Sequence, residues 1–465
     1  MKKNYFITLF LITFAILSII LSYFLIYDYT TFQDFIFKGE ARQSTQTDIK
    51  KSEVASPVFY KPNKLSMSDV FKPTKVIYRN EKTTQWITDP KIEDNLIQIF
   101  KEHPIQLKDD AFVESSEKIE SLYATNHLQL IFSDKVPSKV MEPMVKVSHP
   151  DEMTQHIHRI IIPFDQSGQV YFINLDQKGY YVAKLPREIG ESTLEEVLTK
   201  PTKMKVDVQG YIGKQGLIYL PNQPIATKTQ LYTVENIPES VFVKEFFQNN
   251  EFKTNDGDDN RGIFFNYLYT LEFQRDKHLL DVRVSRPEDG TRRTMMEKID
   301  NSFKNFSRFE FWRHESRLMN PNGKLAVYRR FINGFPIFPS PGQVDHGATI
   351  FQLKSNQSSE IFRFQIPLQI IQAHIPDMSE PVELASSDQI YQALKDNGYE
   401  LEGIEDILIG YEIQEDTENY KKMYLVPKWY FKLNDQYVSM DQLMTDEFQQ
   451  AWDKAQGLST EGVDE

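Results

Sequence analysis

The chain has 465 residues, enough for roughly two to four domains, with 40% hydrophobic and 13% aromatic side chains to build their cores. Its formal charge of -13 argues against nucleic acid, anionic lipid or acidic wall polymer as partners, because an acidic surface repels all three. With no Cys there are no disulfides, thiolate metal sites or Cys-linked lipids, so a body outside the cytoplasm has to be held by core size.

In chain order, the first feature is a run from Asn4 to Tyr27 without a single charged side chain. About 20 apolar residues span the hydrocarbon of a bilayer as a helix, the form that satisfies its own backbone hydrogen bonds. Lys2 and Lys3 precede the run, which predicts a cytoplasmic N-terminus and an extracytoplasmic bulk. The run is longer than a signal-peptide core and ends in Phe24-Leu25-Ile26-Tyr27 with no small pair for cleavage, so it reads as a retained anchor. Within it, Thr8, Leu11, Ala15, Ser18 and Ser22 fall at helical spacings on one face, and four of the five are small or hydroxylated. Small residues let membrane helices approach closely, so this stripe predicts contact with a partner helix, the alternative being a plain anchor with scattered Ser and Thr.

The organisation expected is a cytoplasmic tail at 1–4, a transmembrane helix at 5–27, and a juxtamembrane stalk at 28–64 with interfacial aromatics near its start. An α/β region at 65–250 and an α+β region at 251–456 follow, then an acidic tail at 457–465. In the first region, Val76-Ile77-Tyr78 and the alternating run from His127 to Phe132 predict strands. Asp89-Pro90 opens a helix with Ile92, Leu96, Ile99 and Phe100 on one face. His158–Phe164 and Gln169–Asn174 pair around a turn at 165–168, and Tyr180-Tyr181-Val182 adds a strand. Ser192 with Glu195 predicts a capping box for a helix ending at Leu198, Gly216–Leu220 a strand, and Pro238–Gln248 a helix.

In the second region, 255–260 predicts an exposed loop, followed by a hairpin of Phe264–Phe273 with Leu279–Ser285 and a helix over Arg293–Phe303. Arg308–Arg313 and Leu325–Phe331 read as strands joined by a turn at 320–323, and Asn333-Gly334-Phe335-Pro336 makes a second sharp turn. Ile350–Leu353 and Ile361–Pro367 are strands, and Ser387–Lys395 is a helix closed by Asn397-Gly398. Ile404–Ile413 and Met423–Leu433 close the sheet, with Pro427 placing the last strand at an edge. The exterior is therefore α+β, with antiparallel sheets and a few helices.

Motifs for chemistry are sparse. There is no phosphate loop, dinucleotide fingerprint, Gly-x-Ser-x-Gly or His-Glu-x-x-His. Ser115-Ser116-Glu117-Lys118 matches Ser-x-x-Lys but sits in a polar loop without the companion motifs. His156 and His158 would share one strand face, half of a zinc site without a third ligand. Asp256, Asp258 and Asn260 copy part of a calcium loop, but Arg261 and Tyr267 stand where Gly and Glu are needed, so a solvated acidic loop is expected. The basic and aromatic residues from Arg308 to Arg317 read as one buried and one wet sheet face. No catalytic residue, cofactor or metal is expected.

Several segments, in this order, resemble the YycH proteins of Gram-positive bacteria. They are the lone N-terminal anchor, Asp69-Val70-Phe71-Lys72-Pro73, Arg159-Ile160-Ile161-Ile162-Pro163, Val170-Tyr171-Phe172-Ile173-Asn174 and Ile237-Pro238-Glu239-Ser240-Val241-Phe242. Further on come Tyr328 to Phe338, Ile409-Gly410-Tyr411-Glu412 and Leu425 to Tyr430. The resemblance implies a non-enzymatic membrane protein that regulates the WalK (YycG) sensor histidine kinase of cell-wall homeostasis, together with a YycI-like partner and through transmembrane contacts. The alternatives are a membrane-anchored extracytoplasmic wall enzyme or ligand-binding module, and a passive scaffold.

Overall fold

Runs of β-branched and aromatic residues recur from Lys75 onward, and such side chains pack well on a pleated surface. The computed structural model describes residues 62 and 64–448, except 109–111, 151–152, 166, 203, 249, 286–293, 320–324, 354–360 and 416–420, and these belong to one compact unit. The apolar run at 5–27, the turn at 320–323 and the acidic tail lie outside the described residues. Among the described residues no helix is long and apolar enough to cross a membrane.

The first sheet uses β1 (Lys75–Arg79), β2 (Thr84–Ile87), β3 (Gln106–Leu107), β4 (Val113–Glu114), β5 (His127–Val136), β6 (Ile157–Pro163), β7 (Gln169–Asn174), β8 (Gly179–Lys184), β9 (Lys205–Gly213) and β10 (Gly216–Pro221). Its spatial order is β10-β9-β2-β1-β5-β6-β7-β8-β3, with β4 also on β8. Helix α1 (Pro90–Glu102) starts where the Asp89 carboxylate accepts the Lys91 N–H at 3.0 Å, and it buries Ile92, Leu96, Ile97 and Phe100. Helix α2 (Ser116–Ala124) starts at Ser115, whose hydroxyl accepts the Lys118 N–H at 3.2 Å. The Ser-x-x-Lys match is thus a helix cap rather than part of a loop. Helix α3 (Glu191–Leu198) begins at Gly190, so Ser192 is inside the helix and not its cap.

The pairing of β5 with β6 is irregular. Ile131 pairs with Arg159 and Val136 with Ile157, so β5 advances five residues while β6 advances two. The extra residues form a bulge, a device that re-aims side chains. β5 is also buried on both faces along most of its length, not on alternate residues as the sequence pattern suggests.

The second sheet contains β12 (Gln230–Asn236), β13 (Lys253–Asp258), β14 (Arg261–Phe265), β15 (Tyr269–Gln274), β16 (Leu279–Val284), β17 (Ser316–Leu318), β18 (Leu325–Ile332), β19 (Phe335–Phe338), β20 (Ala348–Leu353), β21 (Ile361–Pro367), β22 (Gln369–His374), β24 (Asp406–Glu415), β25 (Lys422–Leu433) and β26 (Gln436–Ser439). The ribbon of β11 (Ile225–Lys228) with β23 (Pro381–Leu384) stands apart. The pairings are antiparallel except β19 with β24, which is parallel and joins the two halves of the sheet. Helices α4 (Glu239–Phe247), α5 (Met295–Phe309) and α6 (Ser387–Asp396) are the longer helices of this region. Thr294 and Glu297 cap α5 reciprocally, the Thr294 hydroxyl accepting the Glu297 N–H at 3.2 Å and the Thr294 N–H donating to Glu297 at 2.7 Å. β12 and α4 precede residue 250 in the chain, yet β12 pairs with β22 and β25 of the second sheet.

The fold departs from several of the expected elements. Residues 255–260 are mostly strand β13, an edge strand that turns at 259–260 into β14. The run Phe264–Phe273 divides into β14 and β15 at a turn that Asn266 closes by accepting the N–H groups of Leu268 and Tyr269. Arg308 and Phe309 end α5, which runs further than the Arg293–Phe303 pattern suggests because Phe306 and Phe309 continue its apolar face. β25 is central, with β24 on one side and both β12 and β26 on the other. Pro427 fits because it falls between Leu425, the last partner of β12, and Tyr430, the first of β26, where no ladder N–H is called for.

Two glycines are required by geometry. Asn333 and Gly334 both have positive φ, 51° and 82°, which closes the β18–β19 hairpin. A Cβ on Gly410 would lie 2.8 Å from the Phe338 ring and 3.0 Å from Tyr430, so the stack of those rings at 4.1 Å needs the bare backbone.

Charged groups are buried in the middle of the second sheet. Arg330 and Glu310 are each 1% exposed and lie 3.2 Å apart. Arg330 also donates to the Gln369 carbonyl at 2.7 Å and stacks over Trp312 at 4.9 Å. Glu310 accepts the Trp312 N–H at 2.6 Å. Removing one partner of a buried pair leaves an uncompensated charge, which costs about 3–5 kcal/mol. Arg330→Met, which keeps most of the volume, is therefore expected to lower stability by about that amount in denaturant unfolding, and Arg330→Met with Glu310→Gln to recover part of it. A single-variant loss below about 1 kcal/mol would show that the pair is dispensable.

Candidate functional site

The two sheets meet along a seam crossed by charged side chains. Lys75 of β1, 1% exposed on its side chain, pairs with Asp406 at the start of β24. Lys432 of β25 donates to the Ser133 carbonyl at 2.9 Å, and the Ser133 hydroxyl donates to the Met319 carbonyl. The β5 bulge is thus pinned to the second sheet. Arg317 of β17 donates to the Pro73 carbonyl and to Glu93 of α1 at 2.9 Å, while Glu315 accepts from Arg317 at 3.0 Å and from Lys72 at 2.9 Å. Burial pushes the Glu93 carboxyl up to about 7 against the pull of Arg317. Glu315 is buried too, but Arg317 and Lys72 together hold its carboxyl below the usual range.

Beside this seam lies a cavity of about 380 Å³, lined by Asp134, Lys135, His156, His158, Asp176, Gln215, Met295, Glu405 and Asp435. The bulge of β5 brings Asp134 and Lys135 to it, and β6 with the residues just before it brings the two histidines. Asp176 comes from the β7–β8 turn and Gln215 from the β9–β10 turn. Met295 begins α5, Glu405 precedes β24, and Asp435 sits in the β25–β26 turn at φ 64°.

The imidazole of His158 has a determined tautomer. The Leu175 backbone N–H donates to its Nδ1 at 3.1 Å, so that nitrogen carries no proton and Nε2 does. Nε2 lies 3.6 Å from Asp176, whose other oxygen accepts from Lys135 at 2.9 Å. A metal or a general-base role needs a free imidazole lone pair, and the only one on His158 is occupied by the backbone. His156 and His158 do share one cavity, as their spacing predicts, but they do not make half of a zinc site. Among the described residues no three His, Asp or Glu groups are placed to hold a metal ion.

The electrostatics are uneven. Burial pushes His158 down to about 4 despite Asp176, and lowers His156 with help from Lys135. Burial works against the Asp176 carboxylate, yet Lys135 and the histidines keep it below its ordinary range. Burial raises Asp134, only partly opposed by Lys432.

The other residues singled out in the sequence are placed elsewhere. Thr8, Leu11, Ala15, Ser18 and Ser22 lie outside the described residues. In the Arg308–Arg317 stretch the strand residues Ser316 and Arg317 are buried, and the exposed Arg313 and His314 lie in the segment between α5 and β17 rather than on a sheet face. Phe309 stacks on Phe246 at 4.1 Å, Trp312 lies under Arg330, and Arg317 is buried over the Phe331 ring. Asp134, Asp176, Glu405 and Asp435 were not legible as a group, being separated by up to 301 positions. Their one local signal is the Asn434-Asp435 hairpin turn, which marks a bend and no convergence.

A two-sheet α+β body, tied by buried ion pairs around a polar cavity, is the class defined by these features. Family models described as "YycH protein, N-terminal domain" and "YycH protein, C-terminal domain" match residues 4–204 and 215–447. The chain belongs to the YycH family. The "Two-component system WalR/WalK regulatory protein YycH" of Bacillus subtilis (strain 168) is 19% identical over 319 residues, 67% of this chain and 70% of that protein. The crystal structure of YycH from Bacillus subtilis aligns with a TM-score of 0.66 at 14% identity, covering 83% of this chain and 99% of that one, a likeness of fold.

Buried neutral histidines set an acid limit. His127, His158 and His346 each have a pKa lowered by burial to about 4, against about 6.5 in an open chain. As the pH falls through 6.5 the unfolded chain takes up protons that the fold refuses until about 4. Each histidine then removes on the order of 1 kcal/mol of stability per pH unit. Glu93, which holds its proton up to about 7 in the fold, offsets part of this loss. The melting temperature is expected to drop between pH 6.5 and pH 4, less steeply in His158→Asn. A melting temperature that is flat across this window, with and without the substitution, would contradict the assignment.

Proposed function

We propose that this chain is a non-enzymatic regulator of a WalR/WalK-type two-component system, anchored in the cell membrane with its bulk extracytoplasmic. The observation that carries this reading is kinship with a protein named as a WalR/WalK regulator, extending over about two thirds of both chains. The uncharged run at 5–27 supports the anchor, and Lys2 and Lys3 support a cytoplasmic N-terminus. The face of Thr8, Leu11, Ala15, Ser18 and Ser22 is the contact through which the helix packs on the sensor kinase, with a YycI-like membrane protein as co-partner and cell-wall homeostasis as the process controlled.

A partner helix changes kinase output only by binding one signalling state better than another. A differential of about 1–3 kcal/mol shifts the state ratio by roughly 5-fold to 150-fold. Ala15→Leu and Ser18→Leu are expected to change reporter output from the kinase several-fold while the chain stays at its normal level. Unchanged output in both variants would remove the membrane route. Replacing 5–27 with an unrelated anchor separates this reading from a scaffold that works through its exterior, since a scaffold keeps its activity.

A further inference from the structure

We propose that Arg159, Gln129 and Tyr123 form a buried site for a monatomic anion such as chloride, inside the first region. The inference stands on these side chains and not on the regulatory role proposed above. Arg159 of β6 is 4% exposed, and Gln129 of β5 is fully buried. The Arg159 guanidinium donates through Nη2 to the Gln215 carbonyl at 2.8 Å and lies over the Tyr123 ring at 5.9 Å. No carboxylate pairs with it among the described residues. Lys75 stands opposite Ile131, and Ile131 opposite Arg159, so the two basic side chains fall in one row on one face of the sheet. Asp406 pairs with Lys75, so the row holds two buried cations and one carboxylate. A buried charge calls for a counter-charge.

Three donors around this charge are open. Arg159 Nη1, Gln129 Nε2 and the Tyr123 hydroxyl are buried, and none has a hydrogen-bond partner among the described residues. Gln129 stands opposite Ile161, two residues from Arg159, which makes it a diagonal neighbour within reach of a long side chain. The Tyr219 hydroxyl donates to Gln129 Oε1 at 2.7 Å, so Nε2 is the open end of that amide. Burial raises the Tyr219 hydroxyl, and Arg159 and Arg79 oppose the rise, a sign of positive potential at this point. Orphaned buried donors mark a bound water or ion. Water would take the hydrogen bonds and leave the Arg159 charge unmatched, whereas an anion meets both needs and makes the stronger, charge-assisted bonds. The packing is too close for a polyatomic acid. At Gly216, φ 79°, a Cβ would stand 3.1 Å from the Tyr123 hydroxyl and 3.4 Å from Leu175. Gln215 also lines the cavity beside the seam, so solvent lies one residue away.

The test is thermal unfolding of the full chain in detergent micelles at constant neutral pH, with sodium gluconate replaced stepwise by sodium chloride at fixed ionic strength. The melting temperature is expected to rise saturably by about 2 °C or more, and sodium bromide to substitute for chloride. Arg159→Gln is expected to erase the rise. Tyr123→Phe removes one donor and little volume, and is expected to raise the half-saturating chloride concentration about threefold or more. The Tyr123→Phe arm decides if Arg159→Gln fails to fold. A melting temperature unmoved by the exchange would assign the open donors to water and overturn the proposal. A rise that does not saturate, or one that keeps its size and half-saturation in the variants that fold, would overturn it as well.

Discussion

The constraint on which this structure depends is that charges placed in a dry seam must be matched across it. Lys75, Arg317, Lys432 and Arg330 are each 1–2% exposed on their side chains. A buried cation without a partner is too costly to keep. Three of the four reach across between the first region and the second, to Asp406, to Glu93 with the Pro73 carbonyl, and to the Ser133 carbonyl. The apolar core runs through both sheets as well, so packing and ion pairing enforce one relative arrangement. Hydrophobic contact alone specifies direction weakly, whereas an ion pair is satisfied at one register.

The cavity follows from the same constraint. The β5 bulge carries the Ser133 carbonyl that Lys432 meets, and it takes Asp134 and Lys135 out of the ladder with β6. The β7–β8 and β25–β26 turns then close around the space from opposite sheets. The site therefore belongs to neither region by itself. A change in how the two sheets meet would alter the cavity.

The segments that carry the YycH likeness turn out to be the structural centre. Tyr328 to Phe338 is the β18–β19 hairpin holding Arg329 and Arg330, and Arg329 stacks over Phe338 at 4.4 Å while pairing with Asp345 at 2.8 Å. Gly410 leaves room for the ring stack of Phe338 on Tyr430.

The features legible in the chain before folding are local ones. Asp89-Pro90, Asn333-Gly334 and the alternation of apolar residues act within a few residues, so the first helix, the hairpin and most strands were legible. The sequence also placed His156 and His158 together, although only His158 lies on β6 and His156 just precedes it. Where tertiary packing competes with local pattern, the reading failed. The acidic stretch at 255–260 became an edge strand because β14 offered it a ladder, and Pro427 entered a central strand because two partners leave a gap at that position. The burial of Arg317 and the convergence of Asp134, Asp176, Glu405 and Asp435 were decided only in three dimensions. Their partners lie hundreds of residues away, and neither spacing nor composition encodes which carboxylate meets which cation.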